Sequence, residues 1–209
     1  GDLNMAFISS GTTIIDNGAF QASLGSKILI KEITASADAT ISFVDGTADV
    51  VLDSTYPIYK FEFINMHPAN DDVKLQINFR DGGTNYDAVK TTSFFEAYHS
   101  ESNDADAALQ YTTAADLAQS TSPQMFGFSL GNASDECLSG ELTLYNPSST
   151  TFVKHFISKV NFTYYTGFSV NTYMAGYCNV TSAIDGVQFK MSSGNTDAGT
   201  IKLYGIKDS

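Results

Sequence analysis

Apolar and polar residues alternate along most of this chain. Val73-Lys74-Leu75-Gln76-Ile77-Asn78-Phe79 sets Val73, Leu75, Ile77 and Phe79 against Lys74, Gln76 and Asn78. Successive side chains of a strand point to opposite faces, so this pattern predicts a half-buried strand. Gly140 to Tyr145 and Val187 to Met191 repeat it, and so does Pro57 to Ile64, with Tyr59, Phe61 and Phe63 on the heavier face. Thr200 to Ile206 is apolar at Ile201 and Leu203 and long-chained at Lys202 and Tyr204. Phe152 to Tyr165, rich in β-branched and aromatic residues, predicts a long strand with a bulge.

Turn chemistry separates these runs at short intervals. Asp45-Gly46, Asp81-Gly82-Gly83, Gly131-Asn132, Asn146-Pro147, Asp185-Gly186 and Ser193-Gly194-Asn195 are each flanked by apolar alternation. Gly and Asn tolerate the positive φ that tight hairpins need. Many short strands with turns between them predict an all-β fold, an antiparallel β-sandwich of jelly-roll type. The alanine-rich stretch from Ser102 to Gln119 breaks the rhythm. Tyr111-Thr112-Thr113 interrupts any helical stripe there, so an irregular excursion is preferred to a short helix. Residues 1–26 are Gly/Ser-punctuated and too short to bury a core, which makes them an N-terminal extension that attaches or adds strands. The sandwich is assigned to residues 27–209.

Composition narrows the function classes. Only 16% of the 209 residues are charged, and 23 Asp and Glu against 11 Lys and Arg give a net charge of −12. Such a field repels phosphate, so nucleic acid is not expected as a partner. No apolar run reaches the ~18 residues that cross a bilayer, so membrane insertion is not expected. Gly1 to Phe7 lacks a basic stretch followed by an apolar one, so a signal peptide is not expected. Cys137 and Cys178, 41 positions apart, match no metal or redox spacing and read as buried free thiols.

Candidate chemistry is sparse. His67, His99 and His155 stand in no recognisable triad, and G-x-S-x-G, H-E-x-x-H and Gly-rich phosphate loops are missing. The chain is therefore read as non-enzymatic, with no catalytic residue, no cofactor and no metal. Asn70-Asp71-Asp72 with Asp81 and Asp87, and Glu101 with Asp104 and Asp106, lack regular calcium-loop spacing and read as solvated acidic loops. The aromatics Tyr164, Tyr165, Tyr173 and Tyr177, crowded around Gly167 and Gly176, are candidates for a ligand or interface surface. Core or interface packing is the preferred reading, and sugar stacking the alternative.

Several phrases carry a resemblance. Ala39-Thr40-Ile41-Ser42-Phe43-Val44-Asp45-Gly46, Phe63-Ile64-Asn65-Met66-His67-Pro68, Pro147-Ser148-Ser149-Thr150-Thr151-Phe152-Val153-Lys154-His155-Phe156 and the ending from Gly194 to Ile206 resemble those of marine tailed-bacteriophage virion proteins. The similarity runs from about Met5 to the C-terminus and covers strands and hairpins rather than catalytic motifs. It implies work on the virion, with assembly in the host cytoplasm, and assigns no individual residue a role. The expectation is a structural component on the particle exterior, either a tail or tail-fibre part or a capsid decoration. It would contact other virion proteins and assemble as a homotrimer. The alternative is a receptor- or carbohydrate-binding adhesin at a fibre tip, whose partner is a host surface glycan.

Overall fold

A computed structural model describes residues 27–102 and 105–207, together with the backbone of three N-terminal strands, β1 (Phe7–Ser9), β2 (Thr12–Asp16) and β3 (Ala19–Phe20). These three pair with one another as a small antiparallel sheet. The next strands are β4 (Lys27–Thr34), β5 (Ile41–Val44), β6 (Ile58–Pro68), β7 (Leu75–Arg80), β8 (Lys90–Ser100) and β9 (Ala107–Tyr111). They are followed by β10 (Gln124–Met125), β11 (Leu138–Tyr145), β12 (Lys154–Tyr164), β13 (Phe168–Cys178), β14 (Gly186–Met191) and β15 (Thr196–Ile206). Among the described residues the sole helical element is a 3-10 turn, Thr113–Ala115. The protein is all-β.

Two antiparallel sheets of unequal width result. The wide one runs β4-β15-β6-β11-β12-β13-β8-β9 and the narrow one β10-β7-β14-β5. Their inner faces meet through phenylalanines, as in a β-sandwich. Phe189 on β14 touches Phe61 and Phe63 on β6 edge-to-face, with centroids 5.3 and 5.2 Å apart. Phe43 on β5 meets Phe61 at 5.3 Å, and Phe79 on β7 meets Phe156 on β12 at 4.9 Å. All six rings are essentially inaccessible to solvent. Edge-to-face pairs add ~0.5–1.5 kcal/mol each beyond area burial, so this seam registers the two layers on each other.

The narrow sheet covers only the first part of the wide one. Over the inner faces of β13 and β8, the chain between β9 and β11 takes its place. A loop laid on a sheet brings unpaired backbone groups that burial would penalise unless they find partners. Inward polar side chains supply those partners. Thr172 Oγ1 donates to Phe126 O at 2.6 Å, and Leu117 N donates to Thr92 Oγ1 at 2.8 Å. Thr92 Oγ1 donates in turn to Gln124 Oε1 at 2.6 Å, while Gln124 Nε2 donates to Ala115 O and Met125 O. Thr92, Thr172 and Gln124 are all buried.

Several expectations change here. β12 runs unbulged, its register continuous with β11 and β13. The bulges lie elsewhere, on β6 at Ile64 and Asn65, which together oppose Ser139 of β11, and on β15 at Asp197. Gly140 has φ of 157°, and a Cβ there would meet Lys159 O at 2.4 Å, so glycine is required where the strands close up. The alanine-rich excursion contains an edge strand, β9, because Phe95, Ala97 and His99 offer β8's free edge to it. His67 lies on β6, and Gly186 opens β14 instead of making the turn expected at Asp185-Gly186. Asp104 lies outside the described residues, as does all of the 1–26 extension except its three strand backbones.

Two polar features, one part-buried and one fully buried, bear on stability. Arg80, the single arginine, forks onto Asp185 through Nε–Oδ1 at 2.8 Å and Nη2–Oδ2 at 3.1 Å, tying the end of β7 to the turn before β14. Lys90, Cys178 and Lys154 sit side by side on the inner faces of β8, β13 and β12, all inaccessible to solvent. Lys154 Nζ reaches three carbonyls, those of Ser149, Phe152 and Val180, but Lys90 Nζ reaches one, Ala88 O. Burial lowers the Lys90 ammonium from 10.5 to about 8 and raises the Cys178 thiol to about 12.

Loss of the fork in Asp185→Ala is expected to cost ~1.5–3 kcal/mol in urea unfolding, the range for hydrogen bonds to charged groups. For Lys90, the unfolded state holds its proton more tightly than the native state, so native stability rises with pH between about 8 and 10.5. Lys90→Met is expected to be more stable than wild type at pH 7, by ~1–3 kcal/mol, because each tenfold loss of proton affinity on folding costs ~1.4 kcal/mol. That advantage should shrink as pH climbs toward 10.5; a constant gap in unfolding curves at pH 7, 8.5 and 10 refutes the account.

Candidate functional site

Where the covering loop ends, the inner face of the wide sheet stays open. A cleft of about 460 Å³ lies there, floored by Glu96 and Tyr98 of β8, Gln110 of β9, and Phe168 and Val170 of β13. Phe128 and Ser129 of the covering loop form one wall, Tyr164 and Thr166 another, and Asp106 stands at the rim. Phe168 meets both Tyr98 and Tyr164 at 78°, with centroids 5.9 and 6.0 Å away, so rings line the cleft at steep angles to one another.

Glu96 is the buried charge of this cleft. Its strand alternation turns it inward, and only 8% of it is exposed. Gln110 Nε2 donates to its Oε1 at 2.8 Å and Thr112 Oγ1 donates to the same atom at 3.3 Å. Among the described residues no donor reaches Oε2, which faces whatever enters. The cleft holds two carboxylates, an amide and hydroxyls between aromatic walls, with no cation among the described residues of its lining. Such a lining suits an uncharged or basic guest rather than an anion.

The outer face of the same sheet forms a second surface. Straight across the strands the register runs Glu32, Lys202, Glu62, Glu141, Lys159, Tyr173, Phe95, Tyr111. The first half is ionic, with Lys202–Glu32 at 3.0 Å, Lys60–Glu141 at 2.7 Å and Lys27 on Glu62. Beyond Lys159 the row is apolar. Tyr173 stacks on Phe95 at 4.8 Å and 10°, and Leu109, Tyr111 and Ile157 are 72, 58 and 53% exposed. β9, with the uncharged sequence Ala107-Ala108-Leu109-Gln110-Tyr111, is the last strand of its sheet.

The four tyrosines named from the sequence therefore divide. Tyr164 lines the cleft and Tyr165 packs beside it, centroids 5.1 Å apart. Tyr173 belongs to the outer apolar strip, and Tyr177 lies on that face beside His155, at 5.8 Å. Glu96, Tyr98, Gln110 and Phe128 belong to no motif, and reading the sequence misses them. For Glu96 and Tyr98 the signal is the inward series Thr92, Phe94, Glu96, Tyr98, in which polar groups fall on the core-facing parity of a strand. Among the described residues no three His, Cys, Asp or Glu side chains gather as a metal site. No helix there is long and apolar enough to cross a membrane.

No family model, curated protein or solved structure matches this chain.

Proposed function

We propose that this chain is a non-enzymatic structural component on the exterior of a tailed-phage particle, a tail or tail-fibre part or a capsid decoration, assembled as a homotrimer. The observation that carries the assembly role is the divided outer face. Its apolar half ends in an uncharged edge strand, the type of edge that monomeric proteins guard with charge, proline or a bulge. A neighbouring copy covering Phe95, Leu109, Tyr111, Ile157 and Tyr173 removes that exposure, and the ionic half limits how far the contact spreads. In a ring of three copies, the strip meets a different surface of the next copy. Placement on the virion is supported by the resemblance of the strand and hairpin phrases.

The jelly-roll reading draws support from strand order. β4-β15-β6-β11 and β5-β14-β7-β10 are two groups of four, and the chain passes between them in the nested order of two Greek keys. The hairpins β8–β9 and β12–β13 are then insertions that widen one layer. A second reading, an adhesin at a fibre tip, is favoured by the cleft beside Phe128.

Light scattering on the purified chain is expected to give a species near three times 22.5 kDa. Leu109→Lys should yield the single-chain mass while leaving the unfolding free energy within ~0.5 kcal/mol, as for other surface changes. A wild-type chain that stays at 22.5 kDa at micromolar concentration, and is not found on imaged particles, overturns the proposal.

A further inference from the structure

We infer that the cleft beneath Phe128 is a binding site for one uncharged saccharide residue, held against aromatic rings and hydrogen-bonded by the Glu96 carboxylate. This deepens the adhesin reading and rests on it for the class of ligand. The cleft volume, about 460 Å³, falls within the ~300–1,000 Å³ of small-molecule sites. A pyranose has one face of weakly positive C–H groups and a rim of hydroxyls. Tyr98, Tyr164 and Phe168 line the cleft, and the π-face of such a ring is negative and attracts the former. The hydroxyl rim needs strong acceptors, and Glu96 provides one in a desolvated place, where a hydrogen bond to a charged group is at its strongest.

The state of Glu96 separates this ligand from its competitors. Gln110 and Thr112 both donate to Oε1, which fixes the carboxylate plane and leaves Oε2 to accept from a guest hydroxyl. A guest hydroxyl that donates to Oε2 bonds a charged group between apolar walls, where such a bond is stronger than on the open surface. Anionic sugars and phosphates meet Glu96, Asp106 and a net charge of −12, with no cation among the described lining residues to offset them. A quaternary ammonium suits the rings but makes no hydrogen bond, and leaves Glu96 Oε2, Ser129 and Thr166 unused. A polyhydroxylated neutral guest satisfies both the rings and the polar rim.

The test uses the full chain on an array of neutral, anionic and amino glycans, followed by calorimetry with the methyl glycoside of the best neutral hexose. Tetramethylammonium and glucuronate serve as charged controls. Saturable binding of a neutral glycoside, weakened ~10-fold or more by Glu96→Gln, is expected, that being the range for one charged hydrogen bond. Asp106→Asn at the exposed rim provides a second variant, expected to weaken binding less, and thermal unfolding checks that both variants remain folded. Absence of neutral glycan binding, preference for an amino glycan, tetramethylammonium or glucuronate, or affinity unchanged in both folded variants overturns the inference. Particle adsorption to host cells reads the adhesin role separately. Glycoside binding that Glu96→Gln abolishes, with adsorption unchanged, removes the adhesin reading and leaves the binding site standing.

Discussion

A four-stranded layer cannot seal an eight-stranded one. That mismatch of width governs the rest of this molecule. Where the two sheets overlap, phenylalanine rings from β5, β7 and β14 interlock with those of β6 and β12, and the seam is apolar. Beyond the overlap, burial is completed by irregular chain, and irregular chain brings amides and carbonyls with it. Thr92, Thr172 and Gln124 answer those groups one by one, which is why polar side chains occupy inward positions that alternation alone would fill with leucine or valine. The same logic explains the cleft: it is the remainder of the overhang that the covering segment is too short to reach.

The overhang also has an outer side. The strands that extend past the narrow sheet, β13, β8 and β9, carry with neighbouring β12 the exposed aromatic and aliphatic strip, while the other strands over the overlap carry paired lysines and glutamates. One widening of one sheet thus produces a concave polar-aromatic pocket inside and a flat apolar field outside. These are two surfaces of different chemistry on opposite faces of the same strands, and occupation of one leaves the other free.

Much of the architecture is readable from residues. Period-2 runs at Val73–Phe79, Gly140–Tyr145 and Val187–Met191 correspond to β7, β11 and β14, because one-sided burial writes itself into sequence as alternation. The strands of the overhang are harder. In β8 both faces mix polar with apolar groups, since one faces a hydrogen-bonding loop and the other an exposed strip, so the pattern blurs. β9 is hidden among alanines for the same reason: an edge strand with little to bury leaves little signature. Aromatic crowding marks Tyr164 as a candidate site residue. Its neighbour in the cleft, Glu96, escapes notice, because β8 alternates weakly and a carboxylate on the core-facing parity reads as solvent-facing until the strand's register is known.

The row of Lys154, Cys178 and Lys90 leaves a thiol enclosed on every side, with its proton held up to about pH 12 by burial. A reagent that reacts with thiolates finds nothing to attack while the layers remain closed. Cys137, half-buried beside Asn65, lacks that shelter. Two sulfurs in one chain therefore keep different time: one follows local breathing at the start of β11, and the other counts the rare occasions on which the sheets part.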